Sequence, residues 1–428
     1  MKIMFIQPPM PAYGVCTVAT YPSLGQALIA SYLNEDDDVI LLDGLAHPEL
    51  LKEENLKLEV EKFNPDIVGL RIMFINYCLA MDVAREIKEL LPKALICVGG
   101  PHASLLKEEI LEENKYVDLL MYGEGENSFP EVVEAWKKQV GFEKIKGIIF
   151  RYNNRIIKNE EADLIELGNC IPKYDILDME FYKRINFMTI EGKRGCSQKC
   201  IFCGLPGIQG KCVRKKPVEK VLEEIRVVHN KYGITKMEFV EPNFTICKDW
   251  VMDLCELLIL EDLDMQFVCR TYVEIVDKDL LSIMKKAGFI QIFYGIESGS
   301  QKILDEYKRH SRVEDSINAI KWTKEVGIKT SVNFMIGAPS ENEETVDETI
   351  NLAKVIQADE ADVSVFAPFP NTEFYFHKGI HLIDPKWYKK LEYVSKFPWF
   401  VVYHTDYLTR QDIQNLWMKA VMQIVKVK

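Results

Sequence analysis

Short, nearly uninterrupted apolar runs alternate with helical stretches along most of the chain, and that rhythm leaves few folds open. In the first third, residues 3–7, 39–42, 66–70, 94–98 and 118–122 read as strands. Helical spacing fills the intervals over 23–33, 50–63, 81–91 and 106–113, and recurs over 129–138. Strands that show no polar alternation are buried on both faces, which happens where helices cover a parallel sheet. Residues 1–140 are therefore expected to form a doubly wound α/β domain with its ligand at the carboxyl ends of the strands. Those ends carry Gln7-Pro8-Pro9, Arg71, Gly99-Gly100-Pro101-His102 and Gly123-Glu124-Gly125-Glu126. No G-x-G-x-x-G follows the first strand, which disfavours a dinucleotide. By themselves the glycines mark only sharp turns or a close approach of backbone to something else.

The rhythm breaks between 141 and 185. Residues 148–157 read as a β-hairpin turning on Asn153-Asn154, and 159–183 as a connection between domains. From 186 to 374 the rhythm resumes, with strands at 187–190, 236–240, 265–269, 290–294, 330–336 and 362–366. Helices at 217–231, 250–260, 278–286, 313–325 and 344–356 separate them. Residues 375–428 carry Trp387, Tyr388, Tyr393, Phe397, Trp399, Phe400, Tyr403, Tyr407 and Trp417. They are expected to form a short C-terminal cap that packs over the second domain's open edge or lines a substrate pocket. A chain of 428 residues suits two such domains.

The chain has 11 cysteines, an odd number that cannot all pair, and at this length they do not read as a secreted disulfide framework. Cys196, Cys200 and Cys203 stand at C-x3-C-x2-C in the loop after the strand at 187–190. Thiolates so spaced converge on a soft metal centre, zinc or iron–sulfur. No fourth ligand follows at a comparable spacing, which leaves an open position. Cys78, Cys97, Cys170, Cys247, Cys255 and Cys269 are expected mostly in the core. Cys16 and Cys212 fall in loops and are candidates for reactivity. Lys and Arg number 53 against 65 Asp and Glu, a net charge of −12. That balance argues against a tracker of nucleic-acid phosphates, so the basic run 211–216 reads as solvated surface or cofactor contact. No apolar stretch reaches the ~18 residues of a membrane span, and the N-terminal run is too short for a signal core. A cytoplasmic location is expected.

Gln7-Pro8-Pro9, Gly99-Gly100-Pro101-His102-Ala103-Ser104 and Tyr122-Gly123-Glu124-Gly125-Glu126, in this order, resemble the Rossmann-like cobalamin-binding domain fused to many radical S-adenosylmethionine (SAM) enzymes. The segment from Arg194 to Cys203, with the aromatic Phe202 before the last cysteine, resembles the cluster motif of the radical SAM superfamily. The strand that precedes the motif and the five that follow it make six, as in the (β/α)6 partial TIM barrel that this resemblance implies. Pro368-Phe369-Pro370-Asn371-Thr372 resembles a Pro-x-Pro-x-Thr pattern of the cobalamin-fused subgroup. Together these features resemble the class B radical SAM methyltransferases. The resemblance implies a [4Fe–4S] cluster on Cys196, Cys200 and Cys203, with SAM chelating the open iron. It implies SAM contacts at Phe202, Glu241, Asn243, Arg270, Glu297, Ser298, Asn333 and Gly337, although the family's Gly-Gly-Glu form is missing around Glu241. Cobalamin contacts are implied at Gln7, Pro8, Arg71, Gly99, Gly100, Pro101, His102, Gly123, Glu124, Gly125 and Glu126.

The D-x-H-x-x-G signature that supplies an axial histidine is absent. In Asp43-Gly44-Leu45-Ala46-His47 the histidine comes two positions late, so no histidine ligand is expected on the lower face of the corrin. Arg71, a candidate neighbour of the cofactor, stays protonated and could block or polarise the site without ligating cobalt. An ordinary ion pair is the alternative for Arg71, and for Arg270 with Glu297. The implied activity is C-methylation: SAM is cleaved reductively, the 5′-deoxyadenosyl radical abstracts hydrogen from an unactivated carbon, and methylcobalamin supplies the methyl group. The substrate is open among small molecules, peptides and protein side chains. An electron donor such as flavodoxin or ferredoxin is implied, and nucleic acid is not. Two alternatives stay open, a non-methylating radical SAM enzyme (cyclisation or rearrangement) and a non-catalytic corrinoid- or metal-binding protein. No side chain is assigned as a catalytic acid, base or nucleophile.

Overall fold

The computed structural model describes residues 1–9, 21–389 and 401–425; Cys16, Tyr393, Phe397, Trp399 and Phe400 lie outside the described residues. The chain divides into two compact units. Met1–Ile185, Gly204–Gly210 and Lys386–Ser395 form one, and Asn186–Cys203, Lys211–Pro385 and Lys396–Lys428 the other.

In the first unit, β1 (Lys2–Gln7), β2 (Asp38–Asp43), β3 (Ile67–Arg71), β4 (Leu95–Gly99) and β5 (Leu119–Met121) run parallel in the order β2-β1-β3-β4-β5. Their apolar runs are buried on both faces, with Ile3, Phe5, Ile67, Cys97 and Leu119 packing against Phe129 and Val132 of helix Ser128–Lys138. The strand order reverses between β1 and β3, and a doubly wound sheet binds its ligand at that switch point. Gln7 ends β1 and Arg71 ends β3, so both lie there. Two local expectations are corrected. The stretch 106–113 is not one helix but two, Pro101–Leu106 and Glu108–Glu113, broken at Lys107 with φ 51°. The hairpin, β6 (Ile148–Tyr152) and β7 (Arg155–Lys158), does not stand apart in a connection. It continues the sheet by antiparallel pairing of β6 with β5, because burying Ile148, Ile149 and Phe150 completes that core. Asn153 and Asn154 both have positive φ, 48° and 61°, as a type I′ turn requires.

In the second unit, β8 (Met188–Ile190) leads to a short ribbon, β9 (Lys193–Arg194) paired antiparallel with β10 (Arg214–Lys215). Then come β11 (Lys236–Phe239), β12 (Gln266–Thr271), β13 (Phe289–Glu297), β14 (Lys329–Ile336) and β15 (Glu360–Val365). Six strands form an open parallel sheet in the order β15-β14-β13-β12-β11-β8, the (β/α)6 partial barrel. One face packs on the helices: the tilted rings of Phe239, Phe267 and Phe289 cluster together, Phe244 joins Phe239 and Phe289, and the Tyr294 hydroxyl meets Thr323 at 2.7 Å. The other face is polar. Along β13, Gln291, Phe293 and Gly295 are half-buried between buried neighbours. Gln291 Nε2 donates to Ser331 Oγ at 2.7 Å and to Glu360 Oε2 at 2.8 Å. A closed barrel would fill this face with branched apolar side chains; here it is polar and partly open to solvent.

The C-terminal segment divides rather than forming one cap. β16 (Ile380–Leu382) pairs with β17 (Tyr403–Thr405). Helix Arg410–Ile424 flanks β15, where Trp417 Nε1 donates to the Val363 carbonyl at 2.7 Å. Trp387 and Tyr388 instead pack in the first unit against Phe74, Tyr77 and His102.

Candidate functional site

In the second unit the chain passes from β9 through Gly195 into Cys196. Cys196 and Cys200 are buried, 2% and 8% exposed, and Cys203 is half-buried. The loop is fastened at several points. The Cys203 amide donates to the Cys200 carbonyl at 3.1 Å, the Ile201 amide to the Tyr307 carbonyl at 3.2 Å, and the Phe374 amide to the Ile201 carbonyl at 2.9 Å. Phe202 wedges edge-on between Tyr307 and Phe366, with ring centroids 5.4 and 5.5 Å away. Among the described residues no three His, Cys, Asp or Glu side chains are grouped to hold a single metal ion. A tetrahedral zinc at about 2.3 Å from each sulfur draws its thiolates to roughly 3.8 Å from one another. Three soft thiolates on a fixed loop, with no fourth partner among the described residues, instead fit a larger iron–sulfur cluster that keeps one iron open.

Two residues not singled out from the sequence complete this corner. Arg309, 6% exposed, places Nη1 4.0 Å from Cys200 Sγ, donates from Nη2 to the Gly295 carbonyl at 2.8 Å and lies 4.1 Å over the Tyr272 ring. Tyr272 brings its hydroxyl 3.7 Å from Cys196 Sγ. Glu297 ends β13 with φ 69°, a strained conformation for a residue with a side chain. Burial pushes the Glu297 carboxyl up, against the pull of Arg309 and a long contact from Asn333 Nδ2 at 3.5 Å. Asn243 accepts from Thr271 at 3.0 Å, while its buried Nδ2 has no partner among the described residues; the Nε of Arg309 is likewise unmet. An unmet donor on Arg309, the cation that acts on the Glu297 carboxylate, suits a zwitterionic ligand such as SAM.

The other expected SAM contacts are engaged elsewhere. Arg270 lies within β12 rather than beyond it, donating from Nε to Glu238 at 3.0 Å on the polar face; its carboxylate is Glu238, not Glu297. Glu241 is buried, accepts the Gly192 amide at 3.2 Å and stands 3.6 Å from the Lys193 ammonium. Ser298 faces Thr349 at 3.2 Å. Gly337 accepts from the Tyr403 hydroxyl at 2.8 Å, and with φ 112° and that hydroxyl 2.1 Å from a would-be Cβ it must be glycine.

In the first unit, Gln7 and Arg71 meet at the switch point, Arg71 Nη1 donating to Gln7 Oε1 at 3.0 Å. Burial pushes the Arg71 pKa down and the Asp43 carboxylate opposes it. Asp43 is taken by the Tyr182 hydroxyl at 2.5 Å. Both His47 nitrogens face carboxylates, Asp178 at 2.5 Å and Glu49 at 3.1 Å. Pro8, Gly99, Gly100, Pro101, Gly123 and Gly125 border the strand ends. Gly100, φ 107°, brings its backbone so close to the end of β3 that a Cβ would stand 2.9 Å from the Ile72 carbonyl oxygen, whereas beside Gly123 no described residue lies within 4 Å of a would-be Cβ. Bare backbone at the carboxyl ends of β4 and β5, on the same edge of the sheet as the switch point, fits a large planar ligand such as a corrin. Glu124 and Glu126 are buried, and Glu124 accepts the Ile165 amide at 2.9 Å.

His102 sits edge-on between Tyr77 and Tyr388, 2% exposed, with neither ring nitrogen hydrogen-bonded among the described residues. Burial holds its pKa down at about 3. Below about pH 6.5 the unfolded chain takes up a proton that the folded chain refuses, so this group makes stability fall with pH by about 1.4 kcal/mol per unit. Urea unfolding between pH 6.5 and 4.5 is expected to show His102→Phe losing that increment of slope. An unchanged slope would place His102 outside the buried aromatic slot.

The sequence pattern that defines the radical SAM superfamily matches residues 190–353, and that of the B12 binding domain matches residues 10–133. An uncharacterised methyltransferase of Pyrococcus horikoshii is 31% identical over 98% of this chain and 91% of its own length. Anaerobic magnesium-protoporphyrin IX monomethyl ester cyclase of Cereibacter sphaeroides is 26% identical over 88% of this chain, which covers only 63% of that enzyme. The solved structure of the radical S-adenosylmethionine methyltransferase TsrM from Kitasatospora setae, with cobalamin and a [4Fe–4S] cluster bound, shares the fold. It aligns at a TM-score of 0.77 and 16% identity, over 91% of this chain and 84% of that one. With both patterns present in order and a relative matched along nearly its full length, the chain belongs to the radical SAM superfamily, in the branch that carries an N-terminal B12-binding domain.

Proposed function

We propose that the protein is a cobalamin-dependent radical SAM C-methyltransferase acting on an unactivated carbon. The observation that carries this reading is the corner formed by Cys196, Cys200 and Cys203 with Arg309 and Glu297, which joins a cluster loop to partners for a zwitterion. When bound, the cluster supplies the electron that cleaves SAM and cobalamin supplies the methyl group. The chain's own residues bind and orient. Arg309 offers a fork of donors for a carboxylate, while Glu297 and Asn333 accept and donate on the ribose or amino side. Phe202 keeps the loop from shifting, and the glycine-lined strand ends of the first unit with Gln7 and Arg71 seat the corrin. The polar face of the second sheet, with Arg270, Glu238, Gln291 and Ser331, favours a substrate rich in hydrogen-bonding groups, since a hydrocarbon would dehydrate the charged Arg270–Glu238 pair without replacing its water.

Anaerobic turnover with dithionite as reductant, methyl-deuterated SAM, cobalamin and a polar extract tests this. The expected product carries a trideuteromethyl group, with 5′-deoxyadenosine and S-adenosylhomocysteine formed in equal amounts. 5′-Deoxyadenosine without S-adenosylhomocysteine or label would favour the second reading, radical cyclisation or rearrangement, to which the likeness to the cyclase of Cereibacter sphaeroides points.

A further inference from the structure

Between residues 192 and 218 there are seven cations and no carboxylate, in a chain whose 65 acidic residues would place about four in such a stretch. Four of the seven are accounted for within the fold. Lys193 is boxed by Trp250 and Phe244. Arg194 pairs with Glu191 at 2.8 Å, and Lys216 with Glu224 at 2.6 Å. Arg214 lies opposite Arg194 in the β9–β10 ribbon and is half-buried. Lys199, Lys211 and Lys215 remain, all exposed. Lys199 lies inside the cluster loop, between Cys196 and Cys200. Lys211 and Lys215 lie on and just before the ribbon strand paired with the one that runs into Cys196. The exposed positive charge of this segment thus lies in the cluster loop and on the ribbon that leads into it, although the chain as a whole is at −12.

A cluster on buried thiols must receive its electron from outside the protein. An acidic surface repels an acidic carrier at long range, and a local basic patch both attracts and orients it. We infer that Lys199, Lys211 and Lys215 form the docking patch for a small acidic one-electron carrier protein of the flavodoxin kind. The carrier is oxidised by one electron and the cluster is reduced by one, with no atom or proton transferred between them. The inference rests on the function proposed above.

The test uses the full-length, cluster-loaded enzyme and purified flavodoxin, with association followed by biolayer interferometry. Lys211→Glu/Lys215→Glu is expected to weaken binding about tenfold at low ionic strength, and wild-type binding to fade as salt rises from about 50 to about 300 mM. SAM cleavage driven by reduced flavodoxin is expected to fall about tenfold, while cleavage driven by dithionite, which needs no docking, holds. Lys52→Glu/Lys93→Glu, on exposed lysines of the first unit, changes net charge equally and is expected to bind as wild type. Four results would overturn the inference: undiminished flavodoxin binding by the first variant, an equal loss in the second, an equal loss of dithionite-driven cleavage, or tighter binding of a short single-stranded RNA than of flavodoxin at these lysines. Absence of cleavage with either reductant in the wild type would count against the proposed function, while the binding comparison would still decide the docking patch.

Discussion

Arg309→Met is expected to lower reductive SAM cleavage by about 100-fold, a loss typical of removing one preorganised charged donor, while the protein retains its iron. Cys200→Ala, in contrast, removes a ligand and is expected to lose cluster and cleavage together. The difference follows from what Arg309 touches: the Cys200 sulfur, the Gly295 carbonyl, the Tyr272 ring and, through charge, Glu297. Of these only the Cys200 sulfur is assigned to the cluster, and Arg309→Met leaves it in place; what is lost is the tie between the cluster loop and the end of β13. Methionine fills the volume and leaves Glu297 a buried carboxylate without its cation, at a cost of about 3–5 kcal/mol. Burial already pushes that carboxyl up and Arg309 restrains it, so its loss moves the acid limb of the pH–rate profile to higher pH. Arg309→Lys restores the charge but not the planar fork; it is expected to recover the melting temperature while the KM for SAM stays raised. Cleavage by Arg309→Met within threefold of wild type would remove Arg309 from the site.

What could be read from the sequence was local, and what escaped it was long-range. The cysteine trio declares itself because its ligands lie within eight residues, and the β/α rhythm because each strand is an unbroken apolar run. The asparagine pair at 153–154 announces a hairpin, yet the pattern carries no sign of which sheet receives it; the buried Ile148–Phe150 face decides that. Residue type and strand-end position suggested Arg270 and Glu241 as SAM contacts, but neither property fixes orientation. Arg270 alternates onto the polar face beside Glu238, and Glu241 turns inward toward Gly192 and Lys193. Arg309 escaped notice because it follows a short helix, Gln301–Glu306, with no motif around it. Only folding brings it back to Cys200, more than a hundred positions earlier.

The second large effect is expected at Lys193 and Glu241, an ion pair sealed into the protein three residues before Cys196. The Lys193 ammonium is 2% exposed, 3.7 Å over the Trp250 ring and 4.4 Å over Phe244, and among the described residues its carboxylate contact is Glu241 Oε1 at 3.6 Å. Burial drives its pKa down to about 8. Below that pH the folded state bears the full cost of the buried charge, and raising pH from about 8 to about 10.5 relieves it, because there the unfolded chain binds more protons. Lys193→Met removes the cation and strands Glu241, which is expected to cost about 3–5 kcal/mol and to loosen the strand that delivers Cys196. Glu241→Gln strands the ammonium instead, though the two aromatic faces retain about 2 kcal/mol of attraction for it. Lys193→Met/Glu241→Gln removes both charges, and neutral replacements of a buried pair are often as stable as the original. The double variant is therefore expected to melt above either single variant and to recover bound iron. A double variant that melts at the sum of the two single losses would mean that Lys193 and Glu241 act independently, and that the strand before Cys196 is held by the ribbon alone.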